Sequence, residues 1–160
     1  MPPKKLPTIW NAPPHTIAKI KMLRAYLVAW FQILGRSRRG QDLLYVDGFA
    51  GPGEYVNYPT GSPLAALSAA EEALALTASQ WVGGKIHCAF IEADDDRYSI
   101  SHRRLSRLGA EEILRLTAIT MNSPQVCGRF AQTCRVRSRP NIHYSYSLIR
   151  SAQQEFRSRP

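Results

Sequence analysis

Apolar residues recur at three- and four-residue steps through Ile17, Ile20, Leu23, Leu27, Trp30, Phe31 and Leu34, while Lys19, Lys21 and Arg24 fall between them. That spacing predicts an amphipathic helix packed on a sheet, with Gly35 placed as its C-terminal cap. The period changes at Leu43. Leu43 to Val46 is a short continuous apolar run, as in a strand covered on both faces, and it ends in Asp47 followed by Gly48, Gly51 and Gly53. After a polar connection, Gly61-Ser62-Pro63 marks a helix start, with Ser62 as N-cap and Pro63 as the first helical residue, leading into the Ala- and Leu-rich segment Leu64 to Ala78. Gly83-Gly84 then precedes Lys85 to Glu92, a second strand that again closes on an acid. Asp94, Asp95 and Asp96 cap and charge the start of a third helix, with Tyr98, Ser101, Leu105 and Leu108 inward and His102, Arg103 and Arg107 outward. Strands alternating with helices predict an α/β fold with a parallel sheet, preceded by an amphipathic helix.

In such sheets ligands bind beyond the carboxyl ends of the strands, which directs attention to Asp47 and the backbone from Gly48 to Gly53. A P-loop is excluded, because Gly53 is followed by Glu54 and Tyr55 rather than Lys and Ser or Thr. A dinucleotide loop is disfavoured, since Asp47 and Glu54 would set negative charge beside a pyrophosphate. S-adenosylmethionine carries a sulfonium and an ammonium, and an acid at the strand end attracts both. The bland alternative is a strand followed by a glycine turn that binds nothing. Glu92, ending the second strand, is placed to accept hydrogen bonds from both ribose hydroxyls of an adenosine. Tyr55 and Tyr58, in the long connection before Gly61, either cover a ligand or shield the sheet end. His87 and Cys88 are adjacent in a strand, so one of them faces inward. His15 is a candidate site residue or a helix cap.

The formal charge of +9 is uneven: residues 1–120 hold 14 Lys+Arg against 11 Asp+Glu, whereas residues 121–160 hold seven Arg against Glu155 alone. The excess is a property of the tail, where it could attract phosphates or simply keep the chain solvated. Cys88, Cys127 and Cys134 form no close pair, which argues for reduced thiols and against a disulfide framework or zinc site. The three consecutive aspartates point in different directions and are not expected to hold a metal. Met1-Pro2-Pro3-Lys4-Lys5 lacks the apolar core of a signal peptide, and the uncharged run Ala25 to Gly35 in the first helix is too short to cross a bilayer, so a cytoplasmic location without membrane contact is expected.

Trp10, His15-Thr16, Lys19, Leu23, Tyr26-Leu27 and Trp30, then Tyr45 to Tyr55, Gly61 to Leu64 and Phe90-Ile91-Glu92 together resemble the bacterial three-Cys-motif partner protein family over about residues 8–110. That family is itself similar to class I S-adenosylmethionine-dependent methyltransferases, and the Asp-x-Phe-Ala-Gly-x-Gly loop is close to the first motif of several nucleic-acid methylases. The resemblance implies a Rossmann-like sheet and an S-adenosylmethionine pocket. Asp47 with Gly48, Phe49, Ala50, Gly51 and Gly53 would face the methionine moiety, Glu92 the ribose, and Ala93 with Asp94 the adenine. It also implies a protein carrying the three-Cys motif as partner, with a nucleic acid as a candidate substrate. The cysteines of the family name belong to that partner, not to this chain.

After about residue 115 the likeness ends. A complete fold of this type has seven strands and a fourth-strand motif that supplies catalytic residues, and Asn122-Ser123-Pro124-Gln125 lacks the second proline and aromatic ring of the amino-methylase loop. From Met121 the sequence is rich in Arg, Ser and Gln without sustained periodicity. The expectation is therefore residues 1–120 as the N-terminal part of a methyltransferase-like domain, with residues 121–160 a basic, poorly ordered or frame-shifted tail. On that expectation the sheet is incomplete, no catalytic residue is assigned, and the chain is inactive alone and prone to aggregate through its open edge. The alternative function is a non-catalytic interaction module acting with a partner protein.

Overall fold

The helical spacing at the start of the chain builds α1 (Pro14–Ser37), whose first residue is a proline already set for helical φ. The computed structural model describes residues 7–107 and 116–122. Ile20, Leu27 and Phe31 lie on the buried face of α1. The helix does not stop at Gly35, as the spacing predicts, but continues to Ser37. Gly35 is instead a packing position: a Cβ there would lie 2.1 Å from Cζ3 of Trp81, so only glycine admits the indole. The left-handed residue that turns the chain is Gly40, at φ 68°.

β1 (Leu43–Asp47), α2 (Ser62–Leu76), β2 (Ile86–Glu92), α3 (Asp95–Arg107) and β3 (Leu116–Asn122) follow. The strands form a parallel sheet in the order β1-β2-β3, with Leu43 opposite Ile86 and Ile86 opposite Leu116. The fold is mixed α/β. Parallel neighbours require crossovers, and α2 and α3 supply them. β3 is an element that the sequence reading leaves unassigned. The expected tail from residue 121 lies outside the described residues apart from Met121 and Asn122, as do Leu108, Cys127, Cys134 and the run Ser123 to Gln125.

Cys88, Ala89 and Phe90 are all buried, and because neighbouring strand residues point to opposite faces, β2 is covered on both. Cys88 thus fills the inward place, while His87 is half-buried and meets Asp42 Oδ2 at 3.1 Å. Burying a Phe or Ile such as Phe31, Ile86 or Phe90 contributes about 1.5–3 kcal/mol each. Small residues on α2, Ala66, Ala69, Ala70 and Ala73, join the same core and let α1 approach closely. The two helices run side by side in the same direction: Arg24 pairs with Glu72 and Ser68, whereas Arg36 reaches Gln80 farther along. Among the described residues no helix is long and apolar enough to cross a membrane.

Candidate functional site

The glycine loop after β1 is held in place chiefly by the two strand-end carboxylates. Glu92 Oε2 accepts the Gly51 amide at 2.8 Å and its Oε1 accepts the Asp94 amide at 2.9 Å. Asp47 Oδ1 accepts the Phe49 amide at 3.1 Å, and its Oδ2 accepts the Ser62 hydroxyl at 2.6 Å. The Ala50 amide donates to the Ile91 carbonyl at 3.0 Å, which fixes the loop across the end of β2. Asp47 is aligned with Phe90, so Glu92 stands beyond it on the neighbouring strand and rises beside the loop. The structure thus brings Asp47, Phe49, Gly51, Glu92 and Asp94 together at one sheet end.

Ser62 has a different place from the N-cap expected of it. Gly61 is the N-cap and Ser62 begins α2, with its hydroxyl given to Asp47. A carboxylate is the stronger acceptor and bonds with charge assistance, which draws the hydroxyl away from the helix amides. Gly51 and Gly53 have φ of 65° and 79°, the left-handed region that glycine enters without strain. Gly61 is required for another reason: a Cβ there would lie 2.6 Å from the Gly53 carbonyl carbon, and the Gly61 amide donates to the Gly53 carbonyl at 2.7 Å. α2 therefore begins in direct contact with the glycine loop.

Burial raises the Asp47 carboxyl above its ordinary value; the Ser62 and Phe49 hydrogen bonds oppose this, and the nearby Glu92 charge adds to it. An ionised Asp47 is thus held at some cost that a cation placed against it would relieve. Each carboxylate offers about four lone-pair sites and here uses two, so both retain capacity for ligand donors. Phe49 is 75% exposed beside them, an apolar ring set in solvent. Ala93 is exposed next to Glu92, and Asp94 Oδ1 accepts the Arg97 amide at 3.0 Å, capping α3 as expected.

The lead segment closes over the connection after the glycine loop. Val56 donates its amide to the Trp10 carbonyl at 3.0 Å, Asn57 exchanges hydrogen bonds with the Ala12 backbone, and the Trp10 ring meets Tyr55 edge-on at 5.4 Å. Arg97 lies 5.0 Å from the Trp10 ring centroid on its face. Tyr55 and Tyr58 pair with each other as an isolated bridge. The Tyr55 hydroxyl is shifted upward, first by burial and then by the charge of Asp47. His15 is exposed on the first turn of α1 and takes no part in this cluster. Tyr98, expected inward, is half-buried and stacks parallel to His102 at 5.6 Å.

Sequence reasoning left Arg104 out and read Arg103 and Arg107 only as part of an outward face. Arg104 bonds Glu54 and donates to the Pro59 carbonyl at 3.1 Å, tying α3 to the connection. The missed signal is the step from Arg103 to Arg107, which places both on one helix flank. Two cavities lie against α3, of ≈ 620 Å³ and ≈ 530 Å³, and neither is lined by Asp47 or Glu92. Among the described residues no cluster of three His, Cys, Asp or Glu side chains is placed to hold a metal ion.

No protein-family model, curated protein or solved structure matches the chain.

Proposed function

We propose that this chain is an S-adenosylmethionine-binding, methyltransferase-like protein of the three-Cys-motif partner family, built on a Rossmann-like sheet. The observation that carries the reading is the pair of strand-end carboxylates on adjacent parallel strands, with Glu92 holding the Gly51 amide at 2.8 Å. The order β1-β2-β3 agrees with the first half of a doubly wound sheet, whose ligand crevice lies beyond the strand ends. Asp47 supplies negative charge toward the methionine ammonium and sulfonium, and Glu92 accepts the ribose hydroxyls with its unused lone pairs. Gly48, Ala50, Gly51 and Gly53 let the ligand approach the backbone, Phe49 offers a ring face, and Ala93 with Asp94 borders the adenine. On this reading the described residues would supply the cofactor side of a methyl transfer, and no acceptor chemistry is assigned to them. Titration calorimetry of the full chain with S-adenosylmethionine tests the reading. Binding that is lost in Glu92→Ala supports it, and a Kd weaker than about 1 mM for the parent chain overturns it.

A second reading, as an interaction module, is favoured by one feature of α1. Met22, Tyr26 and Ile33 are 72%, 63% and 60% exposed and fall on a single line opposite the buried Ile20, Leu27 and Phe31. A helix apolar on both faces has a second surface to cover, and an amphipathic helix of a partner protein fits such a line. Co-purification with the partner, abolished by Tyr26→Asp without change in the melting curve, distinguishes this reading. An unaltered complex removes it.

A further inference from the structure

The flank of α3 carries two arginines without a use in the site described above. Arg103 and Arg107 are exposed and one turn apart, about 6 Å along the helix axis. Among the described residues neither has an acidic partner. Both line the ≈ 620 Å³ cavity, to which Ile100 of α3 and, from other parts of the chain, Ile9 and Leu64 add apolar side chains. Both also line the ≈ 530 Å³ cavity on the opposite side, where Tyr98 and His102 lie stacked at 5.6 Å with their planes 8° apart. The two cavities share Arg103 and Arg107, neither paired with an acid among the described residues, and together they make a trough over α3. Glu54 is the acid in the wall of the larger cavity, and Arg104 neutralises it while bracing that wall.

We propose that this trough binds a single strand of nucleic acid, with successive phosphates on Arg103 and Arg107 and a base on the Tyr98–His102 face. The spacing along α3 is close to that between neighbouring phosphates on one strand, and arginine is the side chain that grips phosphate in a bidentate manner. A small phosphorylated ligand would occupy one cavity, whereas the arginines face two. A stacking ring reaches a base only when the base is unpaired, so the aromatic pair selects single strands over duplex. As the channel for a methyl acceptor the trough rests on the methyltransferase reading. As a binding surface it does not.

The test is fluorescence anisotropy of the full chain with a labelled oligouridylate of about 12 nucleotides, within the usual site size. Two charge-matched double variants are compared: Arg103→Ala with Arg107→Ala, and Arg38→Ala with Arg39→Ala in the exposed turn after α1. Each removes two positive charges, so attraction by net charge, including that of the basic tail, falls equally. The α3 double variant is expected to weaken binding about tenfold or more and to reduce the salt slope by about 1.4, with the control pair near the parent. Tyr98→Leu is expected to weaken oligouridylate binding several-fold and to leave an abasic strand of the same length unaffected. Equal losses in the two double variants, or no binding by the parent, overturn the proposal; an unchanged Tyr98→Leu variant overturns the placement of the base. Calorimetry with S-adenosylmethionine on the same proteins separates the two readings, because the α3 variants retain the glycine loop and both strand-end acids.

Discussion

Glu92 accepts the Gly51 amide at 2.8 Å, across 41 residues of sequence, and so locks the glycine loop after β1 to the end of β2. A second bond, from the Asp94 amide to the same carboxylate at 2.9 Å, orients the chain entering α3. One side chain thus positions both walls of the proposed adenosine site, and its role in holding the loop is separable from its role toward a ligand.

Glu92→Gln keeps an acceptor for one of the two amides but loses the charge and half the acceptor capacity. Hydrogen bonds to charged groups are worth about 1.5–3 kcal/mol. We expect Glu92→Gln to lower S-adenosylmethionine affinity at least tenfold and to speed exchange of the Gly51 amide, read by calorimetry and hydrogen exchange. Exchange as slow as in the parent would show that the loop is held by other contacts.

The glycines of the loop separate by mechanism. Gly48 has nothing within 4 Å of a built Cβ, whereas a Cβ at Gly61 would press on backbone atoms of Gly53 at 2.6 to 2.8 Å. Backbone cannot give way as a side chain can. Gly61→Ala is expected to destabilise the fold by about 1–3 kcal/mol in urea melts, and Gly48→Ala to leave stability near the parent. On the proposed reading a ligand approaches the backbone at Gly48, so the same Gly48→Ala protein should bind S-adenosylmethionine more weakly.

Where the sequence is periodic and the cause is local, the fold is legible in it. The helical spacing of α1, the apolar run of β1, the Gly-Ser-Pro entry to α2 and the acids closing β1 and β2 all lie within a few residues of the elements they specify. Gly35 is misread because the reason for it is Trp81, distant in sequence, and Ser62 because its hydroxyl answers to Asp47 rather than to its own helix. β3 is missed although Thr117, Ile119 and Thr120 are β-branched, since its pairing with β2 is what defines it. The larger cavity against α3 is illegible for the same reason: Ile9, Leu64 and Arg103 come to line it together only once the chain has folded.

Cys88 is fully enclosed in β2, and burial pushes its thiol up to about 12. The thiolate is the reactive form, so this sulfur is inert in the folded protein. Iodoacetamide at pH 8 is expected to leave Cys88 unmodified under native conditions and to alkylate it after denaturation, as peptide mass mapping would register. Native labelling of Cys88 would mean that β2 opens.

Asp42, just before β1, and Asp47, its last residue, respond to pH in opposite senses. Burial raises the Asp47 carboxyl despite its bonds to Ser62 and Phe49, so between its unfolded and folded values the native state binds the extra proton. Stability from this group is then gained as pH falls through that window and lost as pH rises. For Asp42 burial also acts upward, but the Lys85 amide, the His87 hydrogen bond and the charges of both residues outweigh it and hold the carboxyl below its ordinary value. Its contribution is present above the unfolded value and lost as pH falls through the folded one. Asp47→Asn is therefore expected to match or exceed the parent in stability at pH 7 while losing S-adenosylmethionine affinity, because on the proposed reading the ligand cation, rather than the fold, requires the charge. Asp42→Asn should be destabilised at pH 7, with the difference shrinking below about pH 4. Urea melts of both variants at pH 7 and pH 3.5 measure these shifts; an Asp47→Asn protein less stable than the parent at pH 7 would assign Asp47 to holding the fold rather than to binding.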